Sequence, residues 1–169
     1  MPYQIRPLQV SDLSAVMTIQ ARCYLDIEPE RPEVMASKLA IPAHACLACE
    51  SSQGLAAYLL CHPWVMGDIP ALDTISTCPP AGQPCFYLHD LAVDPGARGQ
   101  KLAQRLVQQA LQIARDQGLD HAALVAVQGS LPFWRSLGFT DHTHRLSPEL
   151  QQRLQKYGDS ACYLARSVP

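Results

Sequence analysis

Charge is scarce in this sequence, and neither sign prevails. Thirteen lysines and arginines stand against 15 aspartates and glutamates in 169 residues, a formal net of −2. Binding to a phosphate backbone needs a clustered basic face, and here the cations are scattered. That argues against a nucleic-acid binder and against a polybasic membrane-surface protein. No apolar run approaches the roughly 20 residues of a spanning helix. The start, Met1-Pro2-Tyr3-Gln4-Ile5-Arg6-Pro7, has no charged segment leading into an apolar one, so a cytoplasmic protein is expected. Aromatic residues make up only 7%, yet 48% of the chain is hydrophobic, which excludes a disordered polymer. The glycine-rich phosphate loops GxGxxG and Gly-Lys-Ser/Thr are both missing. The length suits one domain spanning residues 1–169 with a single sizeable core.

Cysteine is present but in an odd number, seven, and mostly inside apolar segments. Cys46 and Cys49 have CxxC spacing within an apparent strand. Alternation there sends the two sulfurs to opposite faces, which suits neither a zinc knuckle nor a redox turn. Buried thiols in a reducing compartment, with no metal, are the expectation.

Periodicity predicts interleaved helices and strands. A short strand at 3–6 precedes an amphipathic helix capped at Ser11-Asp12 and ending near Tyr24. Pro29 and Pro32 bracket a turn, and a helix over 32–39 starts on proline. Residues 46–50 and 55–61 read as a hairpin around Ser51-Ser52-Gln53-Gly54. From 62 to 84 proline is so dense that a long loop is predicted, a feature often tied to function. Residues 86–93 (FYLHDLAV) form a strand, 94–97 a turn, and Arg98-Gly99-Gln100 opens a long helix. Leu102, Ala103, Leu106, Val107, Ala110, Leu111 and Ala114 give it one apolar stripe, and Gly118 is the natural stop. A buried strand over 122–127, a short helix over 131–137, a helix from Ser147-Pro148-Glu149 and a strand over 161–165 complete the chain. The pattern implies an α/β or α+β mixed sheet.

A strand passing through a glycine-containing turn into a helix presents free backbone N–H groups and a positive dipole end. That is a place for a phosphate or diphosphate, with Arg98 and Lys101 at its mouth. A second block, Ser130-Leu131-Pro132-Phe133-Trp134-Arg135-Ser136-Leu137-Gly138-Phe139, reads by itself as a short helix whose aromatics pack and whose glycine stops it. Taken together, LAVDPGARGQKLAQRLV followed by FWRSLGF resembles the GNAT superfamily of N-acetyltransferases, in its bacterial-type form, over nearly the whole chain.

The resemblance implies a mixed, mostly antiparallel central sheet flanked by helices, with acetyl-CoA as co-substrate. The family's phosphate loop, Q/R-x-x-G-x-G/A, falls on Arg98, Gly99, Gln100, Lys101, Leu102 and Ala103. Lys101 stands where the first motif glycine belongs. The strand backbone at Leu91, Ala92 and Val93 would bind the pantetheine arm, with Phe133 and Trp134 also beside the coenzyme. Trp134 replaces a tyrosine that often protonates the leaving thiolate, and tryptophan has no useful acid. Tyr157 and Tyr163 are the substitutes the chain offers.

Acetyl transfer to an amine needs the neutral amine. With a pKa near ~10, an alkylamine is about 0.1% neutral at pH 7, roughly 4 kcal/mol that a base helps offset. Strand alternation puts Tyr87, His89 and Leu91 on one face and Asp90 on the other. The segment Leu88-His89-Asp90-Leu91-Ala92-Val93 is similar to the arylalkylamine branch of the family, which implies that His89 assists deprotonation, with Asp90 and Tyr87 beside it. The bland alternative is a core histidine satisfied by neighbouring backbone. His62-Pro63-Trp64, the stretch 24–28 and the acidic residues Asp26, Glu28, Asp68 and Asp73 would flank a pocket for a small-molecule or protein amine. The expected enzyme is a monomer or homodimer that transfers the acetyl group in a ternary complex. The rival reading is a non-catalytic acyl-CoA-binding module, which would keep 98–103 but not need His89.

Overall fold

Seven strands form one sheet in the order β1-β2-β3-β4-β5-β7-β6, and every neighbouring pair is antiparallel except β4 with β5. This is a computed structural model, and it describes residues 2–75 and 78–169. The strands are β1 (Gln4–Pro7), β2 (Leu47–Ser51), β3 (Gly54–Val65), β4 (Pro84–Val93), β5 (His121–Ala126), β6 (Thr140–Asp141) and β7 (Cys162–Ser167). The helices are α1 (Leu13–Cys23), α2 (Pro32–Leu39), α3 (Leu102–Asp116), α4 (Leu131–Ser136) and α5 (Pro148–Gln155). The mixed, mostly antiparallel sheet flanked by helices is the architecture expected. Among the described residues no helix is long and apolar enough to cross a membrane.

The apolar stripe of α3 decides one face of the sheet. Leu102, Leu106, Val107, Ala110, Leu111 and Ala114 are buried against Leu59, Cys61, Phe86, Leu88 and Leu124. The helix ends where Gly118 turns left-handed, φ +76°, so that Leu119 N–H reaches back to the Ala114 carbonyl at 3.0 Å. On the other face α1 and α2 bury Val16, Ile19 and Met35 against Tyr58, Leu60 and Ala92. Cys46 belongs to this second core and Cys49 to the first, on opposite faces as alternation requires. Helix α1 begins at Leu13 with Asp12 in the cap position, as expected. A 3-10 turn at Val10–Asp12 leads in, and the Asp12 carboxylate accepts from Gln9 N–H at 2.8 Å while both Arg6 guanidinium nitrogens hold it at 2.8 Å.

The proline-dense stretch 62–84 is not one loop. Strand β3 continues through His62, Pro63 and Trp64 to Val65, and β4 begins on Pro84. Strand β2 pairs with β3 only as far as Leu59, so beyond that point one side of β3 has no ladder to lose, and Pro63 sits there opposite Phe86. The intervening residues form the loop; 76 and 77 lie outside the described residues.

This longer strand buries His62 completely, with its ring Nδ1–H donating to the Pro63 carbonyl at 2.9 Å. Burial, helped by the nearby His89, pushes His62 down to about 3 from its ordinary 6.5. Between those values the unfolded chain binds a proton that the folded chain refuses, so this residue makes stability fall as pH drops below 6.5. His62→Phe is expected to narrow the gap between urea midpoints at pH 7 and pH 5. An unchanged gap would show that His62 is not buried neutral.

Candidate functional site

The centre of the site is made by one extra residue. Along the β3–β4 ladder Leu60 pairs with Asp90 and Cys61 with Leu88, so His89 has no partner of its own and bulges. The bulge resets alternation, and here the expected faces are corrected. Phe86 and Leu88 point to α3, Tyr87 to the other face, and after the bulge Asp90 and Ala92 share Tyr87's face while Leu91 and Val93 turn back toward α3. His89 and Asp90 therefore stand on the same side of the sheet, not on opposite sides.

The bulge also parts two strands. Strand β4 pairs with β5 only at Phe86–Leu88 against Ala122–Leu124. Past that point a cleft of about 280 Å³ opens between Leu88–Val93 on one wall and Val125, Val127 and Gln128 on the other. Leu91 and Val93 oppose Leu59 and Ala57, and Asp94 N–H bonds Ala56 O at 2.8 Å. In that register Leu91 and Val93 aim their own N–H and C=O groups away from β3, toward the cleft. The Val93 carbonyl accepts from Cys23 Sγ at 3.2 Å, and the Leu91 carbonyl lies 2.9 Å from the Tyr24 hydroxyl, whose single hydrogen it shares with the Asp90 carboxyl.

At one end of the cleft lie Arg98 and Ala103, at the other Glu28, Glu30 and Leu72, with Phe133 and Trp134 along the side. Trp134 is wedged edge-on between Phe133, at 5.0 Å, and Phe139, at 5.5 Å between ring centroids. The turn from β4 into α3 takes two left-handed residues, Gly99 at φ +82° and Lys101 at φ +59°. No side chain caps α3, so the N–H groups of its first turn, Leu102 and Ala103 among them, are free of intrahelical partners. A Cβ built at Gly99 would meet no protein atom. Lys101 thus adopts a left-handed conformation of the kind glycine takes most readily.

The family model described as Acetyltransferase (GNAT) family matches residues 13–139. The chain belongs to the GNAT acetyltransferase family. Among curated relatives, the glucosamine 6-phosphate N-acetyltransferase of Trypanosoma brucei brucei is 32% identical over 69 residues, 41% of this chain and 47% of that protein. N-acetyltransferase 8 of Rattus norvegicus is 38% identical over 77 residues, 44% of this chain and 32% of that protein. The chain thus spans less than half the length of these relatives. The PaiA N-acetyltransferase of Thermoplasma acidophilum, solved in complex with coenzyme A, shares the fold with a TM-score of 0.69 at 13% identity, covering 99% of both chains.

The cleft brings together most of the residues read from sequence. His89, Asp90, Leu91, Ala92, Val93, Arg98, Ala103, Phe133 and Trp134 line the cleft, and Gly99, Gln100, Lys101 and Leu102 form the turn at its mouth. Tyr87 is not there. It is buried with Trp64, Ala123 and Tyr163 in a separate core. Trp64 packs there too, and His62 lies behind His89 with ring centroids 6.1 Å apart. Of the four flanking acids only Glu28 lines the cleft; Asp68 accepts from Trp64 Nε1 at 2.9 Å, and Asp73 binds Arg31 at 2.9 Å. Tyr157 lines the cleft, its hydroxyl donating to Pro70 O at 2.7 Å, whereas Tyr163 does not, its hydroxyl accepting from Gly67 N–H at 2.9 Å.

Four groups were not legible as site residues. Tyr24 donates to Asp90 Oδ1 at 2.5 Å and Tyr58 to its Oδ2 at 2.8 Å. Burial raises Asp90 to about 6 against the pull of these donors. Glu30, between two prolines, reads as a turn residue, yet its Oε1 lies 2.7 Å from His89 Nε2. Gln128, left-handed at φ +50°, spans the cleft: its amide donates to Cys23 O at 2.9 Å and accepts from Asp26 N–H at 3.0 Å. The one signal for the Tyr24 pairing is its place in the stretch 24–28, read as flanking the pocket; Glu30 lies outside that stretch and carried no signal.

A left-handed turn at a non-glycine residue costs about 1–2 kcal/mol, partly offset by the larger unfolded-state entropy of glycine. Lys101→Gly is therefore expected to raise the melting temperature by about 2 °C. A lower melting temperature would show that the lysine is not strained.

Proposed function

We propose that this GNAT chain is an acetyl-CoA-dependent N-acetyltransferase that acts on a primary amine in a ternary complex. The observation that carries the reading is the cleft opened by the His89 bulge. It runs from uncapped helix N–H groups beside Arg98 to a buried imidazole and two carboxylates. The residues present fit the coenzyme: exposed amide donors at both Leu91 and Val93, an open cradle at Gly99, and a cation at Arg98. When bound, the coenzyme supplies an acetyl thioester, an activated carbonyl carbon.

The chain's own groups would do the rest. The first-turn N–H groups of α3 and the Arg98 guanidinium would hold the diphosphate. The Leu91 and Val93 N–H groups would hold the arm in register along β4. Glu28, Glu30 and Asp90 make the acceptor end acidic, which draws in an ammonium and disfavours an acceptor that carries a phosphate. His89 would take the proton that the ammonium must lose before it can attack. Trp134 shields the cleft side without offering a proton, so the thiolate would be protonated through solvent at the cleft mouth. Seven unpaired cysteines suit a reducing compartment, which supports a cytoplasmic location.

His89→Ala is expected to lower kcat/KM at pH 7 by about 10²-fold, and by progressively less toward pH 10, where free amine is abundant. Coenzyme affinity by calorimetry should be unchanged. A loss that does not vary with pH would assign His89 a packing role. Coenzyme binding with no turnover on a panel of amines would favour a non-catalytic binding module.

A further inference from the structure

The pair formed by Glu30 and His89 has a direction built into it. The geometry points to Glu30 as a positioning residue that holds His89 as the Nε2–H tautomer and leaves Nδ1 as the proton-accepting atom. This rests on the reading of His89 as the base.

The Glu30 Oε1 to His89 Nε2 distance is 2.7 Å, and the two side chains are only 8% and 1% exposed. A carboxylate accepts only, so the ring nitrogen facing it carries the hydrogen. The other nitrogen, Nδ1, is buried and has no hydrogen-bond partner among the described residues. A carboxylate on one nitrogen with a bare second nitrogen is the arrangement that fixes a tautomer and stabilises the imidazolium once it forms. In the proton transfer the ammonium N–H bond breaks, its electron pair stays on the amine nitrogen, and an N–H bond forms at Nδ1. A single intervening water would balance in the same way.

The elements around the pair keep Glu30 anionic. Its Oε2 accepts from Asp73 N–H at 3.0 Å, and its backbone N–H and C=O are both clamped by the Gln20 side chain at 3.2 Å. Lys38 on α2 is wholly buried, and its Nζ has no hydrogen-bond partner among the described residues. Burial by itself would raise Glu30, but His89 and then Lys38 outweigh it and hold the carboxyl at about 2. The remaining titratable neighbours are Tyr24 after α1, His62 on β3, Tyr87 and Asp90 on β4, and Tyr157 after α5. None of them offers His89 an ionised partner at hydrogen-bond distance; Asp90 is occupied by Tyr24 and Tyr58.

The test combines pH profiles with nitrogen-15 NMR of the histidine ring. In the unaltered protein at pH 8, His89 is expected to show a protonated Nε2 and a bare Nδ1; the reverse pattern overturns the inference without any variant. Glu30→Gln keeps the shape but removes the charge that favours the imidazolium. Its kcat/KM at neutral pH should fall at least tenfold, the acid limb should move about one unit lower, and the ring should show mixed tautomers. Glu30→Asp should restore part of each. If His89→Ala keeps full activity at pH 7, the base assignment fails and this inference with it. If His89→Ala is impaired while Glu30→Gln keeps the parent's acid limb and ring signals, only the role of Glu30 is overturned.

Discussion

One surplus residue in β4 governs this molecule. Because His89 has no counterpart on β3, the strand bends, its hydrogen-bonding to β5 stops after Leu88, and two strands that run parallel separate into the walls of a cleft. The same residue carries the imidazole, and the slip in register brings the Asp90 carboxyl to its side. Opening the cleft, freeing the β4 amides and placing the chemistry are consequences of a single backbone irregularity. A regular strand here would close the sheet and leave Asp90 facing α3.

Such a site has to be held from behind, since each buried charge is costly when it stands alone. The acidic groups are divided between two kinds of partner. Asp90 takes two tyrosine hydroxyls, Tyr24 from the end of α1 and Tyr58 from β3, and burial lifts it to about 6. Glu30 takes the imidazole and the field of Lys38 and stays ionised. Two carboxyls close to one histidine are thus pushed in opposite directions, one up and one down, by what surrounds them. His62 completes the contrast. It is held by backbone through Nδ1 alone and packed among aromatics, its Nε2 buried without a hydrogen-bond partner among the described residues, which is close to the bland role that was one of two readings of His89.

The half of the cleft proposed for the coenzyme would depend on backbone rather than on side chains. Its donors would be N–H groups of β4 and of the first turn of α3, and the turn between them is shaped by left-handed residues at 99 and 101. That explains how Lys101 can stand in a glycine position: the amides are retained at the expense of local strain. Across the cleft, Gln128 and the Arg22–Asp94 ion pair at 2.8 Å tie the end of α1 to the β5–α4 turn and to the end of β4. The acceptor wall is therefore built from segments far apart in the chain.

Sequence alone determined whatever is governed by local periodicity and local turn chemistry. The α3 stripe, the proline start of α2, the divided cysteines and the helix-mouth loop of 98–103 were all legible, as was His89 as a residue of interest. These depend on residues within a turn or two of each other, and on a motif whose donors are backbone atoms. Tertiary structure alone decided the rest. The extension of β3 through Pro63 depends on where β2 stops, and the face of Asp90 on a register offset between two strands. The partner of His89 is a glutamate 59 positions away. None of these leaves a periodic trace, because each is settled by which segments lie side by side once the chain has closed on itself.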